Sequence, residues 1–206
     1  MESGLIAKIN VILFARPPIA GEAKTRLSQD IVDREAIRIY KKLLTKSVSA
    51  VSNVNSLGKT ISTYGLDEYH SDLTLEGLTF YLQHERRTML ERLSDTFIES
   101  HKTYDHTLVV CADIPGISDK VINAALPFLA QRKVVIGPSA DGGIYLFALS
   151  KGQEDLLDYF PVGTPGLSIV VLEAVKKKGY GYHILPLRVD IDRGIDLDYA
   201  RELHLI

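Results

Sequence analysis

From Lys8 to Ala15 the chain is almost entirely apolar and partly β-branched, a run without alternation that fits a strand covered on both faces, as in a parallel sheet. Val32, Ala36, Ile37, Tyr40, Leu43, Leu44, Val48 and Val51 then recur at helical spacing with Lys and Arg between them, which predicts one long helix over Ile31 to Val54. Asp30 stands where its carboxylate can cap the free amides of the first turn. Lys59 to Tyr64 and Leu78 to Gln83 are short β-rich runs, separated by the polar stretch Gly65 to Gly77. Met89, Leu90, Leu93, Phe97 and Ile98 mark a second amphipathic helix between Thr88 and Tyr104. Strands are expected at His106 to Ala112, Lys133 to Ile136, Ile144 to Leu149 and Tyr180 to Val189, with helices at Leu167 to Lys178 and Asp196 to Leu205. Strands alternating with helices predict an α/β fold with a largely parallel sheet, since parallel neighbours need crossover connections. No internal repeat or low-complexity segment interrupts the pattern.

Composition narrows the partners. At 206 residues and 46% hydrophobic content the chain is expected to form one domain, 1–206, with a sizeable core. A net charge of −2 gives no global reason to bind nucleic acid or an anionic membrane. Cys111 is the single cysteine and lies in an apolar run, which reads as a buried structural thiol and argues against a disulfide framework in an oxidising compartment. No basic segment leads into an apolar h-region, and no run approaches the about 18 apolar residues of a spanning helix. A cytoplasmic location is the expectation.

The candidate chemistry lies at the ends of the apolar runs. After Ala15, Pro17 and Pro18 fix φ and remove two amide donors, Gly21 permits a turn, and Lys24 and Arg26 follow. Ligands of α/β sheets bind at the carboxyl ends of strands, so two cations there suggest a phosphate site, with their charges turned to solvent or ligand. A solvated basic loop is the plainer alternative. The spacing is neither a Walker A loop nor Gly-x-Gly-x-x-Gly. Asp113-Ile114-Pro115-Gly116 repeats the logic, since a buried run ends in a turn carrying a carboxylate, although Asp before Pro-Gly is often only a turn former. Asp141-Gly142-Gly143 between two strands is a hairpin signal. Asp190 and Asp192 are expected to end the last strand, and Asp196 to cap the last helix. The six histidines form no metal-ligand pair at helical spacing and no Gly-x-Ser-x-Gly elbow occurs, which disfavours zinc and serine hydrolases.

Several of these segments resemble one family. Phe14-Ala15-Arg16-Pro17-Pro18 through Gly21-Glu22-Ala23-Lys24-Thr25-Arg26-Leu27 is similar to the opening signature Phe-Ala-Lys-x-Pro-x-x-Gly-x-x-Lys-Thr-Arg-Leu of uncharacterised GT-A-type, glycosyltransferase-like proteins often associated with radical-SAM proteins. Arg16 replaces the usual Lys and Ala20 a common Pro. Asp113-Ile114-Pro115-Gly116 resembles the family's Asp-x-Pro-Gly, and Gly137 to Leu146 its Gly-Pro-x-x-Asp-Gly-Gly-x-Tyr-Leu. Asp190 to Leu197 resembles Asp-x-Asp-Thr-x-x-Asp-Leu, with Arg193 for Thr and Gly194 for the usual Pro. Glu91-Arg92-Leu93 resembles part of Gly-Glu-Arg-Leu, with Leu90 for the glycine, and Gly163-Thr164-Pro165 follows Val162 where the family carries Trp. The layout is more distantly similar to phospholactate guanylyltransferase and molybdenum cofactor guanylyltransferase.

The resemblance implies a Rossmann-like three-layer GT-A (nucleotide-diphospho-sugar transferase) fold with a mixed, mostly parallel sheet. It implies a transferase that uses a nucleoside triphosphate or nucleotide-sugar, with Mg²⁺ or Mn²⁺, on a small-molecule acceptor. A nucleotide-binding regulatory or partner protein without turnover is the alternative, and a homodimer is open to either. Lys24 and Arg26 would clamp phosphate, and Asp113 and Asp192 would hold the metal. Ala15, Arg16, Gly21, Arg92, Asp141, Gly142, Gly143 and Thr164 would contact substrate. Two further expectations follow from the residues. The strand ends near Ala15 and Ala112 should be sheet neighbours. Two converging carboxylates should also repel, so that one of them titrates high.

Overall fold

The computed structural model describes residues 7–64, 77–84, 87–160 and 166–206. The first apolar run forms β1 (Ile9–Phe14), followed by a short 3-10 turn over Leu27–Gln29 and the helix α1 (Asp33–Ser52). Then come β2 (Gly58–Thr63), β3 (Thr79–Leu82), α2 (Met89–Ser100), β4 (His106–Cys111) and α3 (Asp119–Ala130). β5 (Val134–Pro138), β6 (Ile144–Ser150), a 3-10 turn over Glu154–Tyr159, α4 (Leu167–Lys177), β7 (Tyr182–Ile184) and α5 (Gly194–Glu202) complete the chain.

The strands form one seven-stranded sheet in the order β3-β2-β1-β4-β6-β5-β7. β6 runs antiparallel to both its neighbours, and every other adjacent pair is parallel. β1 and β4 lie side by side with Phe14 opposite Cys111, so the chain exits after Ala15 and Ala112 are neighbours, as expected.

Both faces of the central strands are apolar because both are covered. Val11, Leu13, Leu108 and Val110 pack with Tyr40, Leu44 and Val48 of α1 and Ile122 and Leu129 of α3. Ile12, Val109 and Phe147 pack on the other side with Leu93 and Phe97 of α2 and Val171 and Val175 of α4. Helices on both faces of a mostly parallel sheet make the three layers. A smaller cluster joins Leu27, Ala36, Ile39, Leu43, Ile191, Leu197 and Ala200. Full burial of a side chain such as Leu27 or Ile191 contributes about 1.5–3 kcal/mol. These two residues thereby anchor the segments that carry Lys24 and Asp192.

Some expected boundaries move. α1 starts at Asp33 with Val32 in the cap position, and the Asp30 carboxylate instead accepts from Gly194 N at 2.9 Å. The last strand keeps only Tyr182–Ile184, because Pro186 lacks the amide a ladder requires, and pairing resumes as an isolated bridge between Ser139 and Arg188. Asp192 therefore follows a loop rather than a strand. Asp196 lies in the first turn of α5 and caps it as expected, its carboxylate accepting from Arg193 N at 2.7 Å and Asp192 N at 3.0 Å. α3, to which the pattern assigns no element, is capped by Ser118 Oγ accepting from Val121 N and contains Pro127. Residues 65–76 of the polar stretch lie outside the described residues. No helix among the described residues is long and apolar enough to cross a membrane.

Candidate functional site

The loop after β1 is built to present one side chain. Ala15 N donates to Ser62 O at 3.0 Å, and the Tyr40 hydroxyl accepts from Arg16 N and donates to Arg16 O, both at 3.0 Å. This double bond from α1 pins the strand exit. Ile19 O accepts from Glu22 N and Ala23 N at 3.1 Å each, while Gly21 takes φ +80° with open space around it, so only its backbone freedom is used. Ala23 is buried, and Lys24 then adopts φ +54°, a left-handed conformation that costs a non-glycine residue about 1–2 kcal/mol.

That cost is offset by an ion cluster. Lys24 Nζ lies 2.8 Å from Asp113 Oδ2 and 3.1 Å from Asp192 Oδ1, and Arg26 Nη1 lies 2.9 Å from Asp192 Oδ2. The Lys24 side chain is only 4% exposed, against 32% for Asp113, 29% for Asp192 and 64% for Arg26. Lys24, expected to face solvent or ligand, is therefore the buried centre of the cluster.

The electrostatics follow from this pairing. Burial would lower the Lys24 ammonium, but Asp113 and Asp192 outweigh it and hold it above its ordinary value. Burial would raise the Asp113 carboxyl, but Lys24 and Arg16 hold it below the usual carboxylate range. The group that titrates high is Asp190, pushed to about 7 by burial and by the carboxylates of Asp141, Asp113 and Asp192. The expected rise is therefore not found at Asp113, because the Lys24 ammonium lowers its carboxyl; it falls on the neighbouring Asp190 instead. Burial followed by the Asp113 charge pushes the Cys111 thiol far up, which removes it as a nucleophile.

The Asp141-Gly142-Gly143 turn joins β5 to the antiparallel β6 at the same edge of the sheet, as the hairpin signal predicts. Asp141 Oδ1 accepts from Ser139 Oγ at 2.5 Å and from Gly143 N at 2.8 Å. A Cβ on Gly143 would stand 2.7 Å from Ser139 Oγ. Gly142, at φ +89°, offers its carbonyl to Ser168 N at 3.0 Å, docking the turn on the start of α4. Ala140 N donates to Arg188 O at 2.8 Å, which brings this turn to the segment carrying Asp190 and Asp192.

Arg92 belongs to a separate polar group. It is 8% exposed, its guanidinium lies 4.7 Å from the Tyr64 ring centroid, and among the described residues neither its Nε nor Gln83 Oε1 has a hydrogen-bond partner. Gln83 Nε2 donates to Ser62 Oγ at 3.1 Å, and Ser62 shares a hydrogen bond with Thr96. These residues cluster where β2 and β3 end. Arg16 points outward, with Nη1 3.4 Å from Glu22 O. Thr164 lies outside the described residues.

Sequence reasoning missed Tyr40, Gln83 and Arg188 as site residues. Arg188 Nη1 donates to Gly116 O at 3.2 Å and its guanidinium lies 5.9 Å from the Tyr145 ring centroid, with Nε unpartnered among the described residues. Tyr40 carries only a helix-core signal, and Arg188 falls in the run Tyr180 to Val189 that reads as the last strand.

Among the described residues no three His, Cys, Asp or Glu side chains form a group able to hold a metal ion. Asp113 and Asp192 nevertheless offer oxygen donors aimed at one cation, the Lys24 ammonium. Two carboxylates are the number Mg²⁺ typically takes from protein, with water and phosphate oxygens completing its shell. The donor set therefore fits a hard divalent ion, with Lys24 as the stand-in.

The doubly covered, mostly parallel sheet is the fold of nucleotide-diphospho-sugar transferases and nucleotidyltransferases. Residues 61–164 match a family of uncharacterized proteins conserved in bacteria (DUF2064), and the chain belongs to that family. Among solved structures it is similar to a candidate nucleotide-diphospho-sugar transferase from Desulfovibrio desulfuricans G20, at 20% identity and TM-score 0.85 over 97% of this chain and 88% of that one. It is also similar to Rv0371c from Mycobacterium tuberculosis H37Rv in complex with manganese, at 14% identity and TM-score 0.60 over 97% and 100% of the two chains. CMP:2-keto-3-deoxy-manno-octonic acid synthetase complexed with CTP matches at 13% identity and TM-score 0.60, covering 96% and 98%. No curated protein matches the sequence.

Proposed function

We propose that the protein is a transferase that takes a nucleoside triphosphate or nucleotide-sugar and passes a nucleotidyl or glycosyl group to a small acceptor. The carrying observation is the Lys24 ammonium held between Asp113 and Asp192 beside the carboxyl ends of β1 and β4. The carboxylates of Asp141, Asp113 and Asp192 all act on Asp190 there, so a phosphate chain enters only with positive charge. Lys24 and Arg26 supply part of it as charge-assisted donors to phosphate oxygens, and Arg16 adds a further cation at the rim.

Asp113 and Asp192 would hold Mg²⁺ or Mn²⁺, which when bound neutralises charge developing on the phosphates. The manganese complex of Rv0371c supports the choice of metal. Arg92 Nε and Gln83 Oε1, a donor and an acceptor without partners among the described residues, lie beside Tyr64, a set suited to a base edge. The Asp141-Gly142-Gly143 turn would contact the sugar or acceptor. Catalysis of this kind is positional and electrostatic.

The test is a thermal-shift screen of nucleoside triphosphates and nucleotide-sugars with Mg²⁺ or Mn²⁺. A ligand at 100 times its Kd should stabilise the fold by about 2.7 kcal/mol. Release of pyrophosphate or of nucleoside diphosphate with an acceptor then distinguishes nucleotidyl from glycosyl transfer. Binding without release from any acceptor leaves a nucleotide-binding protein without turnover, and no binding at all overturns the proposal.

A further inference from the structure

We infer that Lys24 is a built-in counter-cation, which occupies the divalent-ion position of the ligand-free protein and yields it only when phosphate oxygens offer its ammonium another partner. The inference rests on the proposed function and adds an order to it: metal and nucleotide are taken up together, and metal alone is refused.

The geometry argues for this in three ways. One ammonium lies within 3.1 Å of an oxygen from each carboxylate, and a second cation cannot share that position without Coulomb repulsion at contact distance. Lys24 is also held there rather than resting there. Its side chain is 4% exposed, its backbone is in the left-handed region at φ +54°, and its loop is fixed by Ala23 and Leu27, which are 1% and 0% exposed. Arg26 answers the remaining Asp192 oxygen at 2.9 Å, so both carboxylates have a cationic partner before any ligand arrives.

Triphosphate oxygens compete for Lys24 and Arg26, and each contact they gain releases a carboxylate oxygen. Nucleotide then favours the divalent ion, and by linkage the divalent ion favours nucleotide by the same factor. The ammonium also spares the ligand-free fold two unpaired carboxylates.

The experiment is a titration with Mn²⁺ alone, read by the electron paramagnetic resonance of the free ion, on the wild-type protein and on Lys24→Met and Lys24→Gln. Weak uptake by wild type is expected, with uptake about tenfold tighter or more in the variants. The added affinity should disappear in Lys24→Met combined with Asp113→Asn. Variants that fold but bind Mn²⁺ no better than wild type overturn the inference. Should neither variant fold, the wild type decides, with the Mn²⁺ held by each triphosphate in the absence of protein subtracted: Mn²⁺ taken up as tightly alone as with each of the four nucleoside triphosphates overturns it, and protein uptake that needs a triphosphate supports it. Failure of the variants while a triphosphate with Mn²⁺ still stabilises wild type removes the counter-cation role and leaves the transferase reading standing. Absence of any stabilisation removes both.

Discussion

Asp113 accepts from an ammonium whose pKa burial alone would lower, and this reverses what two converging carboxylates would do unaided. If repulsion ruled, Asp113→Asn would be neutral or stabilising. With Lys24 facing it, the substitution removes half of a buried pair while Asp192 remains, so stability should fall by about 1–3 kcal/mol in urea denaturation. The pH dependence has a definite sign. The native Asp113 carboxyl titrates below the unfolded value of about 3.9. On acidification the unfolded chain takes the proton first, and the stability Asp113 contributes is lost as pH falls from about 4 through the native value. The Asn variant should show a flatter curve there, and an unchanged acid limb would remove the pairing account. Proline, glycine and cation after a buried run exposed Lys24 as a candidate, and the charged turns exposed Asp113 and Asp192, but not the direct ion pairs that join the three. Asp113 and Asp192 stand 89 and 168 positions away, and pairing at such separation leaves no local pattern. Gln83 and Arg188 were unreadable for the same reason.

At the scale of elements, what the sequence displayed was whatever carries its own punctuation. The Asp-Gly turn between β5 and β6 is written in its residues, and its tightness yields a prediction. A Cβ at Gly143 would meet Ser139 Oγ at 2.7 Å and Asp141 Oδ1 at 2.9 Å, the same atoms that hold the turn through Ser139 Oγ and Gly143 N. Gly143→Ala should therefore cost about 1–3 kcal/mol and also weaken nucleotide or acceptor binding, because Asp141 must move. A variant with wild-type melting temperature and ligand affinity would show that the turn has room to spare. α3 escaped notice because Pro127 reads as a breaker, although it lies in the later part of a helix already capped by Ser118. The last strand was overextended because an apolar run resembles a strand until Pro186 ends its pairing.

Over the whole molecule the α/β class and parallel sheet were readable, since doubly covered strands produce continuous apolar runs. Strand order was not, because the placing of β6 between β4 and β5 depends on contacts between distant segments. The same order sets a second titratable centre at the opposite end of the sheet from Asp113. His106 opens β4 and Ser150 closes β6, and they face each other in register with His106 Nδ1 2.8 Å from Ser150 Oγ. His106 is 6% exposed. Burial pushes its imidazole below the ordinary value, Arg132 and His101 add to the effect, and Asp105 opposes it. The sign is again fixed by which state binds the proton. Below about pH 6.5 the unfolded imidazole is protonated while the native one is not. Stability should therefore begin to decline as pH falls through about 6.5 and go on declining to the native value, a phase distinct from the carboxylate loss below about 4. His106→Gln should cost about 1 kcal/mol at pH 7.5 through the lost Ser150 contact and should abolish the upper phase while keeping the lower one. Urea denaturation of both proteins between pH 7.5 and 5 measures the difference. Equal slopes over that range would show that the decline originates elsewhere than at the junction of β4 and β6.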